Sequence, residues 1–175
     1  MTDAHIPLPT NEQLTERELK LLKGLPEANV FRMVANTSAS LKPFLDFAGS
    51  VLLQNKFDRR LRQLAILRVI AILGSEYARV QHERISKVVG VPEQDIVTAN
   101  TPGSTEGLDE ETLLVLEAAE DITRNIKLRS DLLERLLERY GREQTTEFVL
   151  AISFYNLIPR FLESARVPLE SEALL

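Results

Sequence analysis

The sequence predicts an all-α fold, and three observations carry that prediction. Apolar residues recur at helical spacing through most of the chain. No stretch shows the alternating Val, Ile and Thr pattern of a strand bounded by turns. Most of the 7 Gly and 8 Pro sit between the periodic segments. A length of 175 residues suits one domain with a core large enough to be stable unaided. Residues 1–175 are therefore read as a single domain, a bundle of about eight helices, in which 1–28 is an N-terminal extension with one short helix.

Each helix has local signals. Thr15 followed by Glu18 fits a capping box, and the Leu19, Leu21, Leu22 cluster behind it stops at Gly24. Asn29 is placed to cap a second helix through Phe31 and Val34, ending in the Asn36-Thr37-Ser38 turn. Ser40 precedes a third, with Pro43 in its first turn and Phe44, Phe47, Val51 and Leu52 as its apolar stripe. Asp58 caps a fourth helix that has almost no polar face from Leu64 to Leu73, the mark of a central helix. Gly74 and Ser75 permit a restart, and the next helix runs to Gly90 as its C-terminal glycine. Pro92 starts a short helix on residues 93–99. The Pro, Gly and Ser of residues 100–107 predict an exposed loop. Asp109 opens a long helix, Ser130 opens another that ends at Tyr140 and Gly141, and the last begins near Glu143. Pro159 is expected to kink that last helix or end it just before Arg160.

Composition removes whole classes of chemistry. Lys plus Arg number 21 against 26 Asp plus Glu, a net charge of −5, so there is no electrostatic reason to expect a nucleic acid partner. Cys is absent, which removes disulfides, thiolate metal sites and thiol nucleophiles. The only histidines are His5 and His82, and no carboxylates show metal-ligand spacing, so no metal is expected. No Gly-rich loop joins a strand to a helix, so no nucleotide cofactor is expected either. The N-terminus lacks a basic segment followed by an apolar one, and Leu64 to Leu73 is short of the roughly 17–25 residues that span a bilayer. A cytoplasmic protein without a membrane partner is the expectation. The densest basic patch is Lys56, Arg59, Arg60, Arg62 and Arg68; ion pairs on a solvated helix start are favoured over an anion site, with Arg68 set apart by its apolar neighbours.

The informative stretch is RQLAILRVIAILGSEYARVQH, Arg62 to His82, which gathers Gln63, Arg68, Glu76, Tyr77, Gln81 and His82 around a helix bend. This stretch resembles the signature of the carboxymuconolactone decarboxylase family, which shares an all-α fold with the alkylhydroperoxidase D-like proteins. The following ISKVVGVPEQDI and the closing FVLAISFYNLIPRFLESARVPLE extend the resemblance over residues 29–170. In the peroxidase branch the resemblance implies a Glu where this chain has Gln63, Cys where it has Ser75 and Ala78, and a His at His82. Ser and Ala do no thiol redox chemistry, and Gln takes no proton as a carboxylate does, so that relay is missing at all but His82. The decarboxylase branch, by the same resemblance, works without metal or organic cofactor on a small carboxylated lactone.

The leading expectation is therefore a decarboxylase-like lyase using cofactor-free acid/base chemistry. His82 and Glu76 are its catalytic candidates, and Arg68, Arg160, Tyr77, Gln63 and Gln81 its candidates for binding a small carboxylated substrate. The alternative is a non-catalytic ligand-binding or assembly member of the superfamily. Each residue has a structural reading beside the functional one. His82 is also read as a satisfied buried histidine, Glu76 as a first-turn carboxylate, Tyr77 as core, and Arg160 as a bridge between subunits. The segments 64–73 and 148–162 are apolar on more faces than one subunit buries, which predicts a homo-oligomer; the resemblance implies a trimer or hexamer.

Overall fold

The computed structural model describes residues 4–170, and among them there are helices and no strands. A 3-10 turn, Asn11–Gln13, precedes α1 (Glu16–Leu22), α2 (Asn29–Val34) and α3 (Ser38–Gly49), the last running into a π-helical turn, Ser50–Gln54. Then come α4 (Arg59–Leu73), α5 (Glu76–Val89), α6 (Glu93–Ala99), α7 (Glu110–Asn125) and α8 (Ser130–Ala165). The chain divides into two compact units, residues 4–54 with 162–170, and residues 55–161.

In the first unit the capping box forms as the sequence predicts: Glu18 N–H donates to Thr15 Oγ1 at 3.3 Å and Thr15 N–H to Glu18 Oε2 at 2.7 Å. Two starts differ from expectation, by one residue and by three. The N-cap of α2 is Ala28, because the Asn29 N–H is taken by the Glu170 carboxylate at 2.7 Å, a partner 141 residues away. The N-cap of α3 is Thr37, which places Pro43 inside the helix. The segment before α1 is tied to the last residue of α8: the Ile6 N–H donates to the Ala165 carbonyl at 3.2 Å.

In the second unit α4 is the centre. Every residue from Leu61 to Ile70 is buried, and α5, α6 and α7 pack against it. Leu64, Leu67, Val91, Ile96, Ala99 and Leu116 form one apolar cluster. Burying a leucine such as Leu64 stabilises the fold by roughly 1.5–3 kcal/mol before its ordering cost. Asp58 Oδ1 accepts from the Leu61 N–H at 2.8 Å at the start of α4, and Gly74 ends it with φ at 72°, where a side chain would be strained. Phe57 stacks between Tyr140 and Phe148, with ring centroids 4.7 and 4.9 Å away.

The break expected near Tyr140 and Gly141 is present, since Gly141 (φ 70°, ψ 175°) interrupts helical geometry within α8. The end expected just before Arg160 is not, since α8 continues to Ala165. Proline removes one N–H from the ladder, but backbone angles stay helical through Pro159 to Ala165, and the Arg160 guanidinium folds back onto the Asn156 carbonyl and its side-chain oxygen.

Candidate functional site

α4 contributes Gln63, α5 contributes His82 and Ser86, and α8 contributes Tyr155, all buried. The Gln63 side-chain Nε2 lies 2.9 Å from His82 Nδ1 and 3.0 Å from the His82 carbonyl oxygen. A carbonyl only accepts, so the amide nitrogen faces the histidine, and the same NH₂ then donates to Nδ1. That assigns the ring proton to Nε2. The Ser86 hydroxyl also donates to the His82 carbonyl, at 2.6 Å. The Tyr155 ring stands edge-on to the imidazole with centroids 4.8 Å apart.

The electrostatics agree with this geometry. Burial pushes His82 down to about 3, because an imidazolium there would lose its hydration. A second proton on Nδ1 would also point at an amide that can only donate. Burial raises the Tyr155 phenol, opposed by the Arg62 charge, and burial lowers Arg62. Arg62 itself donates to the Asn55 and Phe57 carbonyls at 3.3 and 3.1 Å. This group is neutral at ordinary pH apart from one guanidinium, and it is closed by hydrogen bonds and rings.

The remaining residues singled out in the sequence lie on or beside α4, α5 and α8. Ser75 is the N-cap of α5, its hydroxyl accepting from the Ala78 N–H at 3.4 Å, and Ala78 shares a helical face with His82 four residues on. A thiol at position 75 would sit where a helix N-terminus favours thiolate; the hydroxyl keeps the cap and does no redox chemistry. Glu76 is exposed and takes a two-pronged contact from Arg79, Nε at 2.8 Å and Nη2 at 2.7 Å, which holds its carboxyl below the usual range. Arg79 also reaches Glu83 at 2.7 Å, the pair expected at that spacing. Tyr77 is buried and Gln81 half-buried on the same helix.

Arg68 is 2% exposed and almost used up. Nε donates to the Ala99 carbonyl, Nη2 to the Thr98 and Ser104 carbonyls, each at 2.8 Å, and Nη1 pairs with Glu120. Of five N–H groups, at most one is left for a substrate. Burial alone would raise Glu120, but the Gly103 N–H and Arg68 outweigh it and lower its carboxyl. Arg160 is exposed and folded along its own helix. Two more members of the basic patch form the ion pairs expected of it, Lys56 with Glu143 at 2.7 Å and Arg60 with Asp95 at 2.7 Å. Among the described residues no three His, Asp or Glu are grouped to hold a metal, and no helix is long and apolar enough to cross a membrane.

Sequence reasoning placed His82 and Gln63 together but missed Tyr155, Arg62 and Ser86 as their surroundings. The available signal was the apolar stripe that Tyr155 shares with Phe148 and Ile152, which marks it as facing the core.

The profile described as the carboxymuconolactone decarboxylase family matches residues 39–121. That segment, just under half of the chain, is similar to the carboxymuconolactone decarboxylase family. Gln63, Ser75, Ala78 and His82 all lie within it. Solved structures carry the likeness over nearly the whole chain. An uncharacterised peroxidase-related protein from Silicibacter sp. TM1040 superimposes with a TM-score of 0.84 at 16% identity, covering 98% of this chain and 94% of that one. An alkylhydroperoxidase AhpD core protein, also an uncharacterised peroxidase-related protein, from Ralstonia eutropha JMP134 gives 0.80 at 15% identity, with 95% and 92% covered. A protein of unknown function from Agrobacterium tumefaciens gives 0.69 at 20%, with 86% and 96% covered. At these identities the likeness shows the fold, alkylhydroperoxidase D-like and all-α. No curated protein sequence matches the chain.

Proposed function

We propose that this protein is a non-catalytic, self-assembling member of the carboxymuconolactone decarboxylase family, in which the place of the redox relay has become a packed, hydrogen-bonded core. The observation that supports this most is the state of His82. It is buried, Nδ1 is occupied by Gln63, and its proton affinity is too low for exchange at neutral pH. Assembly with further copies is supported by Leu150 and Leu157, which are 45% and 54% exposed and lie two helical turns apart on one face of α8.

A second reading has one observation in its favour. A neutral imidazole with its proton on Nε2 is a hydrogen-bond donor. Under that reading the protein performs cofactor-free acid/base chemistry on a small carboxylated lactone, with His82 delivering the proton, Glu76 assisting, and Arg68, Arg160, Tyr77, Gln63 and Gln81 holding substrate.

One preparation separates the two. The purified protein is expected to run on light scattering as a multiple of 19.8 kDa. It should reduce no peroxide with a dithiol, and should consume no carboxylated lactone above a heat-killed control. A monomer on light scattering removes the assembly reading. Lactone turnover that falls about 10²- to 10⁴-fold in His82→Gln, the usual worth of a positioned acid or base, establishes the second reading instead.

A further inference from the structure

A cleft of about 380 Å³ opens in the first unit, lined by the end of α1, the turn after it and α2. That volume is within the roughly 300–1,000 Å³ of small-molecule sites. All of its lining falls between Asn11 and Arg32, outside the residues matched to the family, and it includes no residue of the His82 group. We propose that this cleft binds a small monocarboxylate with an apolar body, such as an aryl or branched alkyl acid.

The anchor is Arg32. Its Nη1 donates to the Pro9 carbonyl and its Nη2 to Asn11 Oδ1, each at 2.8 Å, so the half-buried guanidinium is held in one place before any ligand arrives. Two of its five N–H groups make these contacts and three remain, enough for a two-pronged contact with a carboxylate. Holding the fork in advance removes much of the ordering cost of binding.

The rest of the lining selects the body of the ligand. Leu19, Leu22 and Phe31 are half-buried and present an apolar wall that can be covered further. Lys23 on the rim adds a second cation and Glu27 is the one carboxylate, so the lining keeps one positive charge in a chain of net charge −5. A fixed planar fork beside leucines and an aromatic ring suits a flat anion with hydrophobic substance. It suits inorganic phosphate less, which would leave that wall wet.

The test is calorimetry on the full chain with sodium phenylacetate as the probe, and with phenylacetamide and inorganic phosphate as controls. Phenylacetate is expected to bind with Kd of about 1 mM or tighter, a reasonable yield for a ligand of its size. The amide and Arg32→Lys should each weaken binding about tenfold or more, the effect of losing a two-pronged ion pair. Since Arg32 also tethers Pro9 and Asn11, Lys23→Glu is the companion variant. It changes an exposed rim side chain and should weaken phenylacetate about threefold or more through charge alone. No heat up to about 10 mM phenylacetate, equal binding of the amide, or no effect of Lys23→Glu overturns the proposal. Phosphate binding as tightly as phenylacetate also overturns it, because the apolar wall would then contribute nothing.

Discussion

Arg68→Ala is expected to lower unfolding free energy by about 3–5 kcal/mol, the usual penalty for removing one partner of a buried ion pair. The reason is what the guanidinium leaves behind. Thr98 and Ala99 are the last residues of α6, so their carbonyls have no partner within the helix; the Thr98 carbonyl accepts from the Thr101 N–H at 3.1 Å, and Arg68 reaches both carbonyls. It also holds Ser104 in the loop that follows, and Glu120 joins that loop to α7 by accepting from the Gly103 N–H at 3.0 Å. One side chain from α4 thus closes the end of α6, fixes the loop and neutralises a carboxylate on α7. Arg68→Met would refill most of the volume but restore no hydrogen bond to the Ala99 and Ser104 carbonyls and no charge beside Glu120, so it should recover only a small part of the loss. Urea unfolding followed by circular dichroism measures both variants. A loss under about 1 kcal/mol for Arg68→Ala would show that solvent replaces these contacts easily.

The second large effect is a pH dependence carried by His82. An imidazole has a pKa near 6.5 in the unfolded chain, and burial pushes it down to about 3 in the folded one. Between those values the unfolded state binds a proton that the folded state does not. Stability therefore rises with pH over that window: the full contribution is present above pH 6.5 and is lost progressively as pH falls towards 3. The slope approaches 1.4 kcal/mol per pH unit, which amounts to about 2 kcal/mol between pH 8 and pH 5. Carboxylates also titrate as pH falls, so the comparison is with His82→Gln across the same range. The wild-type protein should lose about 2 kcal/mol more than the variant. Parallel curves would mean that folded His82 titrates like a solvated imidazole.

The helix ends were legible because capping is local. Thr15 with Glu18, Asp58, Ser75 and Asp109 each bond to a backbone group three residues on, so their spacing carries the whole signal. The Asn29 start was not legible at this level, since the carboxylate that occupies its N–H belongs to Glu170. Arg68 stood out as a cation among apolar neighbours, which marks burial but not partners. Its acceptors lie 30 to 36 residues onward on α6 and the following loop, and 52 residues onward on α7. Pro159 does not end the helix, since a proline removes one N–H from the ladder and the turns on either side of it keep helical angles. At the candidate site, residue types placed Gln63 and His82 near one bend. Which nitrogen meets which atom, and that Tyr155 closes the ring in from α8, depended on packing between elements far apart in sequence.

Long-range ¹⁵N–¹H correlation of the imidazole in a His5→Gln variant, in which His82 is the one remaining histidine, tests the central claim most directly. The claim is that His82 is a neutral core residue with its proton on Nε2 and Nδ1 accepting from Gln63. The expected spectrum shows a single neutral tautomer with unequal nitrogen shifts that do not move between pH 5 and pH 8, in keeping with a pKa near 3. Titration with a midpoint between about 6 and 7, or a proton on Nδ1, would contradict it and return His82 to the role of an exchangeable acid or base.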